Sequence, residues 1–387
     1  MSDNTPLFSG VIHWPQGINE QVFLDQYWQK KPLLIRQAFP AFETPLPADE
    51  LAGLSLEPDT TGKLITCDEH GAYHLEHGPF DEARFATLSG NQWSLLVTDV
   101  DKHLPEFTAF IEPFRFIPDW RIDDLMISYA PEGASVGAHV DEYDVFLLQA
   151  SGVRTWSIDA RRDVDHQMRC DGDLKILADF QPDHTWDLVA GDMLYLPPNT
   201  AHHGIASSED CTTWSVGFRA PRIPDLIARM AELISDRMAP VRYTDDALVP
   251  AKPGEICYAS IQRFKTLWNK ATQLDDEDFA NLLGRWLTES GAPTTNIDVP
   301  NATSDQSPQT DDISMIKAPF SRFARISTSD QCATLFVDGE SFACSPHFAE
   351  HICKSQYYVS LTVDQLTDDD RTALKALKNM GCLVSEY

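Results

Sequence analysis

Between residues 93 and 220 the chain is divided into short β-prone runs, each closed by a turn signal. "WSLLVTDV", "DDLMISYA", "DVFLLQA", "RTWSIDA", "TWDLVAGDMLYLPP" and "TTWSVGFRA" carry the apolar and aromatic residues, and Pro131-Glu132-Gly133 and Ala190-Gly191-Asp192 punctuate them. Many short strands at this spacing predict a β-sandwich or barrel.

The flanks read differently. Residues 19–29, "NEQVFLDQYWQ", space Val22, Phe23, Gln26 and Tyr27 as a helix does, and "KKPLLIRQAF" follows as a strand. After Pro224, "DLIARMAELISDRM", "YASIQRFKTLWNKATQL" and "DEDFANLLGRWLTES" are helical in period. Residues 291–312, poor in apolar groups and rich in Thr, Ser, Pro and Asp, predict a linker. The last 75 residues read strand, short strand, helix, helix, and no segment repeats. At 387 residues, two or three domains are expected.

Charge narrows the partners. Acidic side chains number 59 against 30 basic, a net charge of −29. Such a field repels nucleic acid and acidic membranes and attracts basic partners, although a general solubility adaptation gives the same balance. The eight cysteines include no C-x-x-C pair, the N-terminus shows no basic and apolar leader, and no apolar run approaches a membrane span. A cytoplasmic protein with free thiols is the expectation.

The stretch "GAHVDEYDVFLLQASGVRTW" concentrates chemistry. On a strand, residues two apart share a face, so His139 and Asp141 present an imidazole and a carboxylate to one space. Alone, such a pair ordinarily makes a local hydrogen bond. "GDMLYLPPNTAHHG" supplies a third candidate just past a strand, either His202 or its neighbour His203. Two histidines and one carboxylate, with other positions open, form the facial triad of non-haem Fe(II) oxygenases.

With "FRFIPDWRIDDLMISYA" and "WSVGFRAP", these stretches resemble the JmjC oxygenases of the bacterial ribosomal-oxygenase group over roughly residues 10–225. The resemblance implies a mixed β and α protein. Its parts are a JmjC double-stranded β-helix over 1–222, a helical dimerisation segment over 223–290, the linker over 291–312, and a winged-helix-like domain over 313–387. It implies hydroxylation of an arginine side chain on a basic large-subunit ribosomal protein, with 2-oxoglutarate and oxygen converted to succinate and carbon dioxide. The iron ligands it implies are His139, Asp141 and His202, with Arg154 and Ser128 holding 2-oxoglutarate. The residues agree on Arg154: a dianionic keto acid bound to iron at one end needs a fixed cation for its far carboxylate, and guanidinium binds carboxylate in a fork.

If Ser128 faces inward, so do Asp124 and Met126, and Tyr143 continues the parity of His139 and Asp141. A carboxylate, a thioether and an aromatic face suit an arginine, and Ser215 adds a hydrogen bond. Core packing explains Met126 and Tyr143 equally well, and a surface turn explains Asp124. His166 and Cys170 read as part of a solvated acidic loop. Two rival functions use the same fold: a non-catalytic binding or assembly protein for a basic partner, and a cupin-type isomerase with no need of Arg154. A homodimer through 225–290 is expected, since its apolar residues, among them Leu226, Ile227, Met230, Leu233, Phe264, Leu267 and Trp268, exceed what a lone helical arm buries.

Overall fold

A computed structural model of the chain describes residues 10–385 except 89, 162–166, 170–173, 241, 245–249, 251, 290–311 and 328. His166, Cys170 and most of the expected linker therefore lie outside the described residues. The chain divides into two compact units, 1–220 and 221–387.

In the first unit the described strands are β1 (Leu33–Ile35), β2 (Gly62–Cys67), β3 (Tyr73–His77), β4 (Trp93–Val97), β5 (Ile122–Ala130), β6 (Asp144–Ser151), β7 (Val153–Asp159), β8 (His184–Val189), β9 (Met193–Leu196), β10 (Ala201–Ala206) and β11 (Cys211–Phe218). They form an eight-stranded sheet, β1-β9-β6-β11-β5-β4-β2-β3, and a three-stranded sheet, β10-β7-β8. Every pairing is antiparallel. Successive strands alternate between the sheets, β6 in the large, β7 and β8 in the small, β9 in the large, which is the winding of a double-stranded β-helix.

Two of the expected runs are divided by glycine. "TWDLVAGDMLYLPP" breaks at Gly191 (φ +89°), where a Cβ would stand 2.5 Å from the Phe39 carbonyl oxygen, and the chain changes sheet there. The hairpin β2–β3 was not legible as a pattern: "GKLITCDEHGAYHLEH" mixes charge through both strands, and only its place beside β4 makes it a sheet.

Alternation along the strands produces two cores. Leu125, Ile127, Phe146, Leu148, Trp214 and Val216 pack outward against the N-terminal region. There the helix Glu20–Gln26, capped by the Asn19 side chain, buries Phe23 against Phe146 and Tyr195. Val145, Leu147, Leu194 and Leu196 of the large sheet instead meet Trp156, Ile158 and Leu188 of the small one. This second core separates the sheets, and its polar end is the site described below.

The second unit holds the helices Ile223–Arg237, Tyr258–Ala271 and Asp276–Thr288. It also contains the sheets β16-β12-β17 and β13-β14-β15, built from β12 (Asp312–Lys317), β13 (Phe323–Ser327), β14 (Ala333–Val337), β15 (Glu340–Cys344), β16 (Tyr358–Thr362) and β17 (Leu383–Ser385). "ATLFVDGESFACS", the short strand expected among the last 75 residues, is a hairpin turning at Asp338 and Gly339, both with positive φ. One expectation about the helices needs correction. Met230 and Leu233 are buried against Leu282 and so find partners within the chain, whereas Ile227, Phe264, Leu267 and Trp268 remain exposed. No disulfide joins the seven cysteines among the described residues.

Candidate metal and co-substrate site

His139 and Asp141 are not in a regular strand, as their spacing suggested. β6 begins at Asp144, and the preceding segment is irregular. It is held by an isolated bridge in which the His139 and His202 backbones exchange hydrogen bonds of 3.0 and 2.9 Å. A further bond from Asn199 N–H to the Asp141 carbonyl, 2.7 Å, ties it to the turn before β10. The backbone of β10 thus supplies the positioning that a continuous strand was expected to give.

The side chains converge. Asp141 carboxylate oxygens lie 3.9 Å from His139 Nε2 and 3.6 Å from His202 Nε2, and the two imidazole centres are 4.2 Å apart. One ligand atom from each of His139, Asp141 and His202 falls within 4.8 Å of the others, the one such group of three among the described residues. Each histidine makes its other nitrogen unavailable: Nδ1 of His139 meets the Gly137 carbonyl at 2.9 Å, and Nδ1 of His202 meets the Thr200 carbonyl at 2.8 Å. A carbonyl can only accept, so Nδ1 carries a proton, and the tautomer this fixes in a neutral imidazole is the one that offers Nε2 to a metal. Burial, reinforced by the adjacent His139, holds the pKa of His202 below the ordinary imidazole range. Two imidazole nitrogens and a carboxylate on one side fit a divalent transition metal. His203 lies on the opposite face of β10, its ring edge-on to Phe180, and is not part of the group.

Arg154 and Ser128 enter from opposite sheets. On β10–β7, Ala206 pairs with Arg154, Gly204 with Trp156 and His202 with Ile158, so Arg154 shares the inward face with the His202 end. Arg154 is only 3% exposed, and its Nε and Nη2 have no hydrogen-bond partner within the protein. Burying an unpaired guanidinium is among the costlier arrangements a fold can hold. Its donors therefore fit an anion, and a far carboxylate of a keto acid is of the right charge and shape. On β5, Leu125 and Ile127 face the outer core, which turns Asp124, Met126 and Ser128 inward beside Ser215 and Thr213 of β11. Ser128 Oγ is 3.4 Å from the Thr213 carbonyl, a weak bond that leaves it available.

Asp124 accepts a hydrogen bond from Asp99 N–H at 3.1 Å, and its pKa is pushed up to about 7, first by burial and then by Asp99, Asp101 and Asp123, against the opposing effect of Lys102. Tyr143, at 42% exposed, is less enclosed than its parity implied, but its phenol senses the charges of Asp141 and Asp124. Lost hydration and these carboxylates raise the phenol's pKa. Sequence reasoning missed Trp156, although it lies two residues beyond Arg154 and so shares its face. It also missed the buried Gln149, whose side chain accepts from Thr213 at 3.1 Å and braces β11.

A double-stranded β-helix with an open His-Asp-His group and a buried, unpaired arginine defines a 2-oxoglutarate-dependent metal oxygenase. Comparison with known proteins narrows the class. Residues 109–226 match the model of the JmjC domain. The chain is 34% identical over 283 residues to the ribosomal protein uL16 3-hydroxylase of Escherichia coli, covering 72% of each chain. It is 36% identical over 224 residues to a probable ribosomal oxygenase of Haemophilus influenzae, 58% of this chain and 55% of that one. The X-ray structure of E. coli ycfD superposes with a TM-score of 0.82 at 29% identity, covering 96% of this chain and 100% of that one. The same ribosomal oxygenase in complex with cobalt and 2-oxoglutarate gives 0.77 at 29% identity, covering 96% and 99%. The chain belongs to the JmjC-domain ribosomal oxygenases.

Proposed function

We propose that this protein is an Fe(II)- and 2-oxoglutarate-dependent hydroxylase of an arginine side chain on ribosomal protein uL16. The observation that carries the reading is the His139–Asp141–His202 group beside the unpaired Arg154 guanidinium. Similarity to the uL16 3-hydroxylase supports the choice of protein substrate. The test is the mass of uL16 from cells with and without this gene: one oxygen atom is expected on an arginine peptide only when the gene is present. Unmodified uL16 in both overturns the reading.

In this reading His139, Asp141 and His202 hold iron through Nε2, a carboxylate oxygen and Nε2, and the Nδ1 bonds to Gly137 and Thr200 fix both rings. Bound iron and 2-oxoglutarate supply the oxidation, in which oxygen converts the keto acid to succinate and carbon dioxide and hydroxylates the target carbon. Arg154 anchors the far carboxylate, Ser128 adds a hydroxyl, and the apolar contacts of Leu147, Trp156 and Leu188 exclude water from the inner end. Asp124, Met126, Tyr143 and Ser215 receive the arginine: the carboxylate pairs the guanidinium, Met126 packs on its stem and Tyr143 offers a ring face.

The Asp124 assignment has a pH consequence with a definite sign. Below about 7 Asp124 is largely protonated and cannot pair a guanidinium, and above it the carboxylate is ionised. Binding a cationic side chain therefore releases a proton at low pH, and affinity rises as pH increases until it levels off above about 7. The KM for an arginine peptide is expected to fall between pH 6 and pH 8, and Asp124→Asn should be weak and nearly flat across the same range. A parent-like pH profile in Asp124→Asn removes Asp124 from the substrate site.

The exposed side chains of Ile227, Ile261, Phe264, Leu267 and Trp268 support assembly as a homodimer through residues 223–290. Helix Tyr258–Ala271 buries no side chain among the described residues, and an isolated helix of that length is marginal in water. Phe264→Glu with Trp268→Glu is expected to give monomers by light scattering, and a stable wild-type monomer at micromolar concentration refutes the assembly. Residues 313–387 are assigned as a winged-helix-like domain. The net charge of −29 suits a basic ribosomal protein and disfavours direct nucleic acid binding. No described helix is long and apolar enough to cross a membrane. A cytoplasmic location, where ribosomal proteins are made, is part of the same proposal.

A further inference from the structure

We propose that the indole N–H of Trp156 is a second fixed donor to the keto acid anchored by Arg154, and that Gly204 is required to seat the indole. This rests on the reading of the site as a 2-oxoglutarate pocket and adds to it a residue that contacts the co-substrate. On β7 the inward residues are Arg154, Trp156 and Ile158, opposite Ala206, Gly204 and His202 of β10. Residues two apart on a strand are separated by about 6.6–6.8 Å, so the Trp156–Gly204 pair occupies the step between the metal ligand and the anchoring guanidinium. The indole centre is 5.8 Å from the His202 ring centre and 5.8 Å from Arg154 Cζ. A dicarboxylate that reaches both ends has to pass along this ring.

Trp156 is 5% exposed, and its Nε1 is buried with no hydrogen-bond partner, like Nε and Nη2 of its neighbour Arg154. Three unpartnered donors therefore share one inward face. An unsatisfied buried donor is costly, and an acceptor entering this space is placed to satisfy all three together. Gly204 explains how the ring fits. A Cβ at 204 would stand 2.7–2.9 Å from Cζ3, Cη2 and Cε3 of the indole. With glycine there, the six-membered edge rests on β10 and the pyrrole edge carrying Nε1 is turned away from it. Trp214 provides a control: its Nε1 is also unpartnered, but its ring packs among Phe42, Phe107 and Phe110 in the outer core.

The experiment uses full-length protein with Mn(II) in place of iron, without oxygen, titrated with 2-oxoglutarate by calorimetry. Trp156→Phe is expected to weaken 2-oxoglutarate binding about 10-fold or more, the loss of a hydrogen bond to a charged acceptor, while Mn(II) affinity stays unchanged. Gly204→Ala, which keeps the N–H but displaces the ring, should weaken it as well. In indole 15N spectra of Zn(II)-loaded protein, the Trp156 resonance should shift on adding 2-oxoglutarate and the Trp214 resonance should not. If Trp156→Phe fails to fold, the resonance most broadened by Mn(II) in the wild-type protein identifies Trp156. Unchanged affinity in Trp156→Phe, or an unmoved Trp156 resonance, overturns the inference. Arg154→Ala, run in parallel, separates the two levels. If it loses 2-oxoglutarate binding and Trp156→Phe does not, only the indole role fails; if neither variant loses it, the reading of the pocket fails.

Discussion

Replacing His139, Asp141 or His202 by alanine, one at a time, is expected to abolish 2-oxoglutarate turnover while leaving a folded protein. Loss of an outer partner of a ligand costs roughly 10–100-fold in metal affinity or activity, and loss of a ligand itself costs more. On the proposed three-residue ligand set there is no spare donor: among the described residues no other His, Cys, Asp or Glu joins the group. Asp141 has a double role, since its oxygens face both imidazoles at 3.6 and 3.9 Å. Asp141→Asn, which keeps the shape and removes the charge, should therefore lose most metal affinity too. The discriminating control is His203→Ala. Its ring stands on the other face of β10 against Phe180, so the variant should retain turnover with some loss of stability. Metal titration and succinate formation measured together decide the matter. An inactive His203→Ala enzyme beside an active His202→Ala enzyme would reverse the assignment of the two neighbours.

The ease with which these residues could be read in the sequence varied with how local their placement is. The β class was legible because strand parity and turn residues act within a few positions. His139 and Asp141 were legible as a pair for the wrong local reason: parity on a strand was expected, whereas a bridge to His202 and a bond from Asn199 hold them. The choice between His202 and His203 was not open to composition or spacing, because adjacent residues on β10 face opposite sides and only the β7 register says which side is inward. Asp124 was legible by parity with Ser128. Its surroundings were not, because Asp99 and Lys102 come from a separate helical turn more than 20 residues away. The hairpin β2–β3 and the hairpin β14–β15 lacked clean alternation, and pairing partners distant in sequence or a tight Asp-Gly turn had to define them. Trp156 was passed over because an indole in a strand reads as core, and it is core in part, packing with Leu147 and Leu188.

Arg154→Ala is expected to raise the 2-oxoglutarate requirement by roughly 10–100-fold, the value of about 1.5–3 kcal/mol for a charge-assisted bond, with iron affinity nearly unchanged. The separation follows from the register: Arg154 pairs with Ala206, four residues along β10 from His202, so removing it leaves the His-Asp-His group intact. The burial of Arg154 argues for the upper part of that range. At 3% exposure, with Nε and Nη2 unpartnered, little water competes for the guanidinium, and an arriving carboxylate meets donors already fixed in place. Trp156, whose ring centre is 5.8 Å from Arg154 Cζ, limits how far the guanidinium can relax toward another partner. The same burial predicts a second effect. The empty pocket holds an uncompensated charge, so Arg154→Ala should leave the ligand-free protein no less stable, whereas 2-oxoglutarate should raise the melting temperature of the wild-type protein much more than that of the variant. Arg154→Lys keeps the charge but not the fork, and should fall between the two in affinity. The readouts are the KM for 2-oxoglutarate, metal affinity and the ligand-induced shift in melting temperature. Equal 2-oxoglutarate affinity in wild-type protein and Arg154→Ala would remove this residue from the site and leave its buried, unpaired guanidinium without an explanation.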